Sequence, residues 1–170
     1  MKLTNTQLST LVHNSVSHHF DENGRLHLRR FTESQLNTYH QEDPHWVVRA
    51  NASASVTFDF ITDSDYVVVK FDLQPGSSQL WGSLDLYVDG VFTKSRYMAD
   101  LGVKLAGFEL PAGEHRVTLY FPWSMQIAIN EVLLSDGASL QPVHKKRKIL
   151  SFGDSITQGY GPLRSSHTYV

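Results

Sequence analysis

The sequence predicts a mainly β protein: an antiparallel β-sandwich, jelly-roll-like, followed by the first strand and helix start of an α/β unit. Three observations carry this reading. Short runs of alternating apolar and polar residues recur from about residue 16 to residue 134, punctuated by turn sequences such as Asn23-Gly24, Asp89-Gly90 and Pro111-Ala112-Gly113; alternation of this kind marks strands with one face inward. No long helical pattern interrupts them. After residue 145 the pattern changes to a nearly continuous apolar run, Ile149, Leu150 and Phe152, typical of a parallel strand buried on both faces. A closed barrel is the competing architecture for the first part.

The elements follow in order. Leu8, Leu11 and Val12 recur at helical spacing, with Thr4 or Thr6 as N-cap, and predict a short helix within residues 4–15. Residues 16–20 and 25–31 flank Asp21-Glu22-Asn23-Gly24 and predict a hairpin, with Leu26 and Leu28 facing in. Residues 32–46 are polar; Thr32 caps a one- or two-turn helix through Leu36, and Asp43-Pro44 breaks any helix. A long β region is expected to begin at Trp46-Val47-Val48. Strands follow at 55–61, with Val56, Phe58 and Phe60 on one face and Thr57 and Asp59 on the other, and at 66–73, joined by a turn at Asp63-Ser64-Asp65. Residues 84–88 and 91–97 form a hairpin across Asp89-Gly90. Residues 108–110, 116–121 and 126–134 complete the set, with Pro122-Trp123-Ser124 breaking the last two apart.

A chain of 170 residues can hold one domain with a real core plus part of another. The division falls at the polar stretch around Pro142: residues 1–144 as the β-sandwich, 145–170 as a linker and the beginning of the second unit. A net charge of −2 argues against a nucleic-acid surface, and Lys145-Lys146-Arg147-Lys148 reads as a solvated linker and strand start. There is no cysteine, so disulfides, thiolate catalysis and cysteine-based zinc sites are excluded. The first residues lack the apolar run of a signal peptide, no stretch approaches a membrane span, and no cofactor motif is present; a cytoplasmic protein is expected, although removal of a leader would leave the same picture.

Near the end, Lys148 to Gly159 reads as a buried strand, a tight Gly153-Asp154 turn and then Ser155 at the mouth of a helix. A serine so placed sits at the carboxyl edge of a parallel sheet, where α/β proteins put ligands. Gly153 permits close backbone approach, and a helix N-terminus can turn N–H groups toward a developing oxyanion. Taken bare, the same residues read first as a helix cap.

The string Ser151-Phe152-Gly153-Asp154-Ser155-Ile156-Thr157-Gln158-Gly159 resembles the first sequence block of the SGNH (GDSL-type) hydrolases. The resemblance implies that Ser155 is a nucleophile attacking O-acyl esters, that its own N–H is one oxyanion donor, and that Asp154 organises the loop. Trp81 to Gly90 is similar to the Gly-x-Asp-Leu-Tyr pattern of β domains that precede SGNH catalytic domains, with Ser83 at the position of the pattern's glycine and Gly82 one place earlier. The order of the two motifs looks like that of two-domain SGNH esterases, some of them carbohydrate esterases. A serine hydrolase also needs a base and a carboxylate to orient it. SGNH enzymes carry these in a late Asp-x-x-His block, with an oxyanion asparagine in Gly-x-Asn-Asp; neither string occurs here, and His167 has no evident orienting carboxylate. The chain therefore reads as the N-terminal part of a longer esterase, inactive by itself, with a small-molecule or carbohydrate ester as substrate.

The nine histidines suggest no shared metal site; His18 and His19, adjacent on a strand, face opposite ways. Trp123, beside Pro122 in a loop, is the best candidate for stacking on a sugar, which would suit the alternative reading of a non-catalytic carbohydrate-binding or interaction module. Aromatic packing is the bland explanation of the same residue.

Overall fold

The computed structural model describes residues 1–147, 149, 153–155 and 160–168. The alternating apolar positions of the expected strands turn inward: Val56, Phe58, Phe60, Val67, Val69, Phe71, Leu84, Leu86, Val117 and Leu119 are wholly buried. All but Val56 are contributed by two facing sheets. One runs β1 (Val12–His13), β4 (Thr57–Thr62), β9 (His115–Tyr120), β6 (Gly82–Val88), β7 (Val91–Met98), with β11 (Gln141–Pro142) also paired to β4. The other runs β2 (Ser17–Phe20), β3 (Leu26–Arg29), β10 (Met125–Leu134), β5 (Tyr66–Pro75), β8 (Gly102–Glu109). Every pairing is antiparallel. Strands β3 to β10 give two four-strand layers, β3-β10-β5-β8 and β4-β9-β6-β7, the interleaved double Greek key of a jelly roll. The architecture is a β-sandwich, and the closed barrel is excluded because the two sheets remain separate.

Local chemistry explains most boundaries. Helix α1 (Asn5–Leu11) starts on a capping box, with Thr4 and Gln7 satisfying each other's backbone N–H groups. The Asp89-Gly90 turn has φ of 52° and 80° at its two residues, the geometry that lets a two-residue turn follow strand twist. The β10 strand carries a bulge between Ile129 and Glu131, which keeps Ile129 and Val132 both buried.

Several expectations are corrected. Trp46, Val47 and Val48 do not begin a β region; they lie in α3 (Pro44–Ala50). Pro44 occupies the first helical turn, where its missing N–H costs nothing, and the Asp43 side chain accepts from the His45 N–H at 2.9 Å. The Asp43-Pro44 step separates two helices, and the first, α2 (Glu33–Glu42), runs well beyond Leu36. An edge-to-face contact between Tyr39 and Trp46 joins α2 to α3, and another between Phe31 and Tyr39 ties α2 to the segment before it. The expected turn at residues 63–65 does join β4 to β5, and it carries the chain from one sheet to the other. The outward face of β4 is not solvated: Asp59 is wholly buried, bound by Arg116 at 2.6 and 2.8 Å and by Lys145 at 3.3 Å. Burial alone would raise its carboxyl; the Arg116 hydrogen bonds and the two cations outweigh that and hold it below the usual carboxylate range. Lys145 is thus an ion-pair partner and not a free linker charge. Finally, Ile149 is 87 % exposed and does not line a buried strand; Lys148, Leu150, Ser151 and Phe152 lie outside the described residues.

Candidate active site

Gly153, Asp154 and Ser155 are all exposed. Ile156 to Gly159 lie outside the described residues. The next described residue is Tyr160, whose N–H donates to the Ser155 carbonyl at 2.7 Å. The Tyr160 ring packs edge-on against Trp123 at 5.1 Å, and its hydroxyl lies 2.6 Å from Ser78 Oγ. Around these residues opens a cleft of about 340 Å³ lined by Arg49, Gly76, Ser77, Ser78, Ser155 and Tyr160. The cleft therefore combines the candidate nucleophile with the end of α3 and the loop after β5.

Each wall has a local cause. Gly76 must be glycine because a Cβ there would lie 2.7 Å from the Met125 carbonyl carbon. Ser53 closes the same region, its hydroxyl near the Pro122 and Met125 carbonyls at 2.8 and 3.0 Å. The C-terminal end of α3 is gripped by Arg30, which donates to the Ala52 carbonyl at 2.7 Å and to the Arg49 carbonyl at 3.3 Å. A guanidinium at a helix C-terminus complements the exposed carbonyls. Burial pushes Arg30 down to about 10, so it stays charged at neutral pH.

Trp123 must be corrected as a sugar-stacking residue. It is wholly buried, enclosed edge-on by Trp81 at 6.1 Å and by Tyr160, so neither ring face is open to a ligand. Its Nε1 has no hydrogen-bond partner among the described residues. The sequence signal misled because Pro122-Trp123-Ser124 does break the strands, yet this loop folds inward. Its Ser124 hydroxyl bonds the Trp81 carbonyl.

His167 lies in a 3-10 turn, Ser165–His167, and its Nε2 is 2.5 Å from the Arg164 guanidinium; a cation, not a carboxylate, stands beside it. The Arg164 guanidinium also covers the Phe92 ring at 4.0 Å. Among the described residues there is no group of three or more His, Asp or Glu side chains able to hold a metal ion. No described helix is long and apolar enough to cross a membrane.

The Gly-x-Asp-Leu-Tyr-like stretch has a structural role that its sequence did not reveal. Ser83 and Asp85 on β6 are wholly buried, beneath the 3-10 turn. The Ser165 N–H donates to Ser83 Oγ at 2.9 Å, the Ser83 hydroxyl lies 3.2 Å from Ser165 Oγ, and the Ser165 hydroxyl donates to the Ser83 carbonyl at 2.6 Å. Asp85 accepts from the Ser166 N–H at 2.8 Å and from the Ser95 hydroxyl at 2.5 Å. Thr168 meets Ser55 at 3.0 Å. Ser83, Asp85, Ser165, Arg49 and Tyr160 were not singled out as site residues from the sequence; only Asp85 carried a usable signal, as the acid of the family-like pattern.

The fold defines the class: a jelly-roll β-sandwich that continues into a segment bearing an exposed serine after a Gly-Asp turn. Solved structures extend this. The chain is similar to a salicylyl-acyltransferase from a tetracycline biosynthetic pathway, at 25 % identity and a TM-score of 0.75, over 92 % of this chain and 46 % of that one. It is also similar to a GDSL-like lipase from Bacteroides ovatus, at 18 % identity and a TM-score of 0.66, over 94 % of this chain and 48 % of that one. A family two carbohydrate esterase from Cellvibrio japonicus matches at 19 % identity and a TM-score of 0.54, over 88 % of this chain and 38 % of that one. The chain thus spans less than half the length of each of these structures, and it shares its fold with esterase, lipase and acyltransferase enzymes. No protein-family model and no curated protein matches it.

Proposed function

We propose that the chain is the nucleophile-bearing portion of a serine esterase of the SGNH class. The observation that carries this reading is the exposed Ser155 on the wall of the 340 Å³ cleft, directly after Gly153-Asp154. The Ser155 hydroxyl oxygen attacks the ester carbonyl, its proton passes to a base, and the alcohol leaves with that proton. Water then cleaves the acyl-enzyme and releases the acid. The Ser155 N–H serves as one oxyanion donor, and Asp154 with Gly153 shapes the turn. His167 is paired with Arg164 rather than with a carboxylate, so it is not assigned as the base. The β-sandwich supplies one wall of the substrate entrance through Arg49 and residues 76–78. Short O-acyl esters, acetylated carbohydrate among them, are the substrates to test first. The reading as a carbohydrate-binding module loses its main support with the burial of Trp123.

In the full-length protein, Ser155→Ala is expected to lower turnover of a short-chain aryl ester by at least about a thousandfold. Unchanged turnover would overturn the assignment.

A further inference from the structure

We infer that β6 carries a socket that positions the nucleophile segment, with Asp85 and Ser83 as positioning residues. This rests on the esterase reading for its catalytic consequence, but the socket itself is independent of it. The three Ser83–Ser165 contacts form a closed set: one N–H and two hydroxyls donate, and two hydroxyl oxygens and one carbonyl accept. Ser165 is 1 % exposed and Ser83 and Asp85 0 %, so water cannot replace these bonds without opening the contact. Asp85 is a buried carboxylate whose two oxygens are divided between β7, through Ser95, and the incoming turn, through Ser166. Inside the sandwich alone it would have only half of these partners.

The socket is rigid where it needs to be. A Cβ on Gly82 would approach Pro122 Cβ to 2.9 Å, and Ser124 bonds the Trp81 carbonyl, so the start of β6 is locked to the loop that buries Trp123. Tyr160 rests on that same tryptophan and holds the Ser155 carbonyl. Ser155 is therefore tied to the sandwich at two places within residues 160–168: directly through Tyr160, and through Arg164, Ser165 and Ser166 further on. Ser83, which stands where the family-like pattern has glycine, supplies the hydroxyl for the Ser165 contacts. The departure from the pattern is here a gain of a specific polar lock.

The test uses hydrogen exchange on this chain. The Ser165 and Ser166 amides are expected to be protected in the parent sequence and to exchange at least about tenfold faster in Asp85→Ala, while β4 amides keep their protection. Asp85→Asn should restore protection, because its amide oxygen still accepts from Ser166 and its NH2 can donate to Ser95 Oγ. Ser83→Gly, which cannot disturb the strand through bulk, should speed Ser165 exchange alone. Absence of protection in the parent, equal exchange in Asp85→Ala, or a loss spread evenly over β4 would each overturn the socket. In the full-length protein, Asp85→Ala should lower kcat about tenfold with KM within about twofold, since misplacement of a reacting group costs rate more than binding; Asp85→Asn should recover it. An unchanged kcat would overturn the positioning role. If Ser155→Ala leaves turnover intact, the esterase reading fails, and exchange still decides the socket.

Discussion

The two ends of this chain are held by different physics. Residues 1–134 are organised around a continuous apolar core in which Phe58 meets Phe121 edge-to-face at 4.9 Å. Residues 160–168 are held to that body mainly by hydroxyls, one carboxylate and backbone amides, with Tyr160 and Arg164 as their aromatic contacts. An apolar core holds together without directional contacts, because hydrophobic burial is non-directional and scales with area. A polar lock does not: a donor moved by an ångström loses its bond. The sandwich therefore supplies stability, and the segment that bears on Ser155 receives position.

Mutation can break this contrast in graded steps. The largest effect is expected from Phe58→Ala, a fully buried aromatic at the sheet interface, costing about 3–5 kcal/mol in a urea titration. Because the segment has no core of its own, it should lose protection in the same transition. A smaller effect is expected from Arg116→Met, which leaves the buried Asp59 with Lys145 and Thr118. Removing one partner of a fully buried pair costs about 3–5 kcal/mol; the Arg116 side chain is 47 % exposed, so solvent screening reduces this to about 1–2 kcal/mol. The pH dependence gives the sign. A carboxyl held low in the folded state stabilises above its unfolded pKa, near 3.9, and that contribution is lost as pH falls through the lower folded value. In Arg116→Met the acid unfolding limb should move to higher pH.

The smallest effect sharpens the comparison from the surface. His115 is raised by its hydrogen bond to Asp89 at 2.6 Å and by the Ala112 carbonyl. A raised histidine contributes stability below its unfolded pKa, near 6.5, which fades as pH rises through the folded value. Asp89→Asn should flatten the pH dependence of the melting temperature across that window. An unchanged profile would show that this turn pair is purely geometric.

Much of the fold was legible because period-two alternation is a direct consequence of strand geometry. Phe58, Phe60, Val67, Val69, Leu84 and Leu86 point where their spacing says. Helix α3 was not legible, since a helix of seven residues with two valines has weak periodicity and Pro44 reads as a breaker until its place in the first turn is known. The pairing of β11 with β4, and so the burial of Asp59, depends on a contact between residues about 80 apart in the chain. At the candidate site the serine motif was legible, but the socket was not. Ser83 and Ser165 are ordinary residues until β6 and the 3-10 turn bring them within hydrogen-bond distance.

The enclosure of Trp123 has an optical consequence. A wholly buried indole, with a tyrosine 5.1 Å away in residues 160–168, emits differently when that tyrosine departs and solvent reaches its buried Nε1. The protein thus contains its own fluorophore for the attachment of residues 160–168. Trp81 shares the pocket edge, and Trp46, 46 % exposed on α3, provides a solvated reference in the same spectrum.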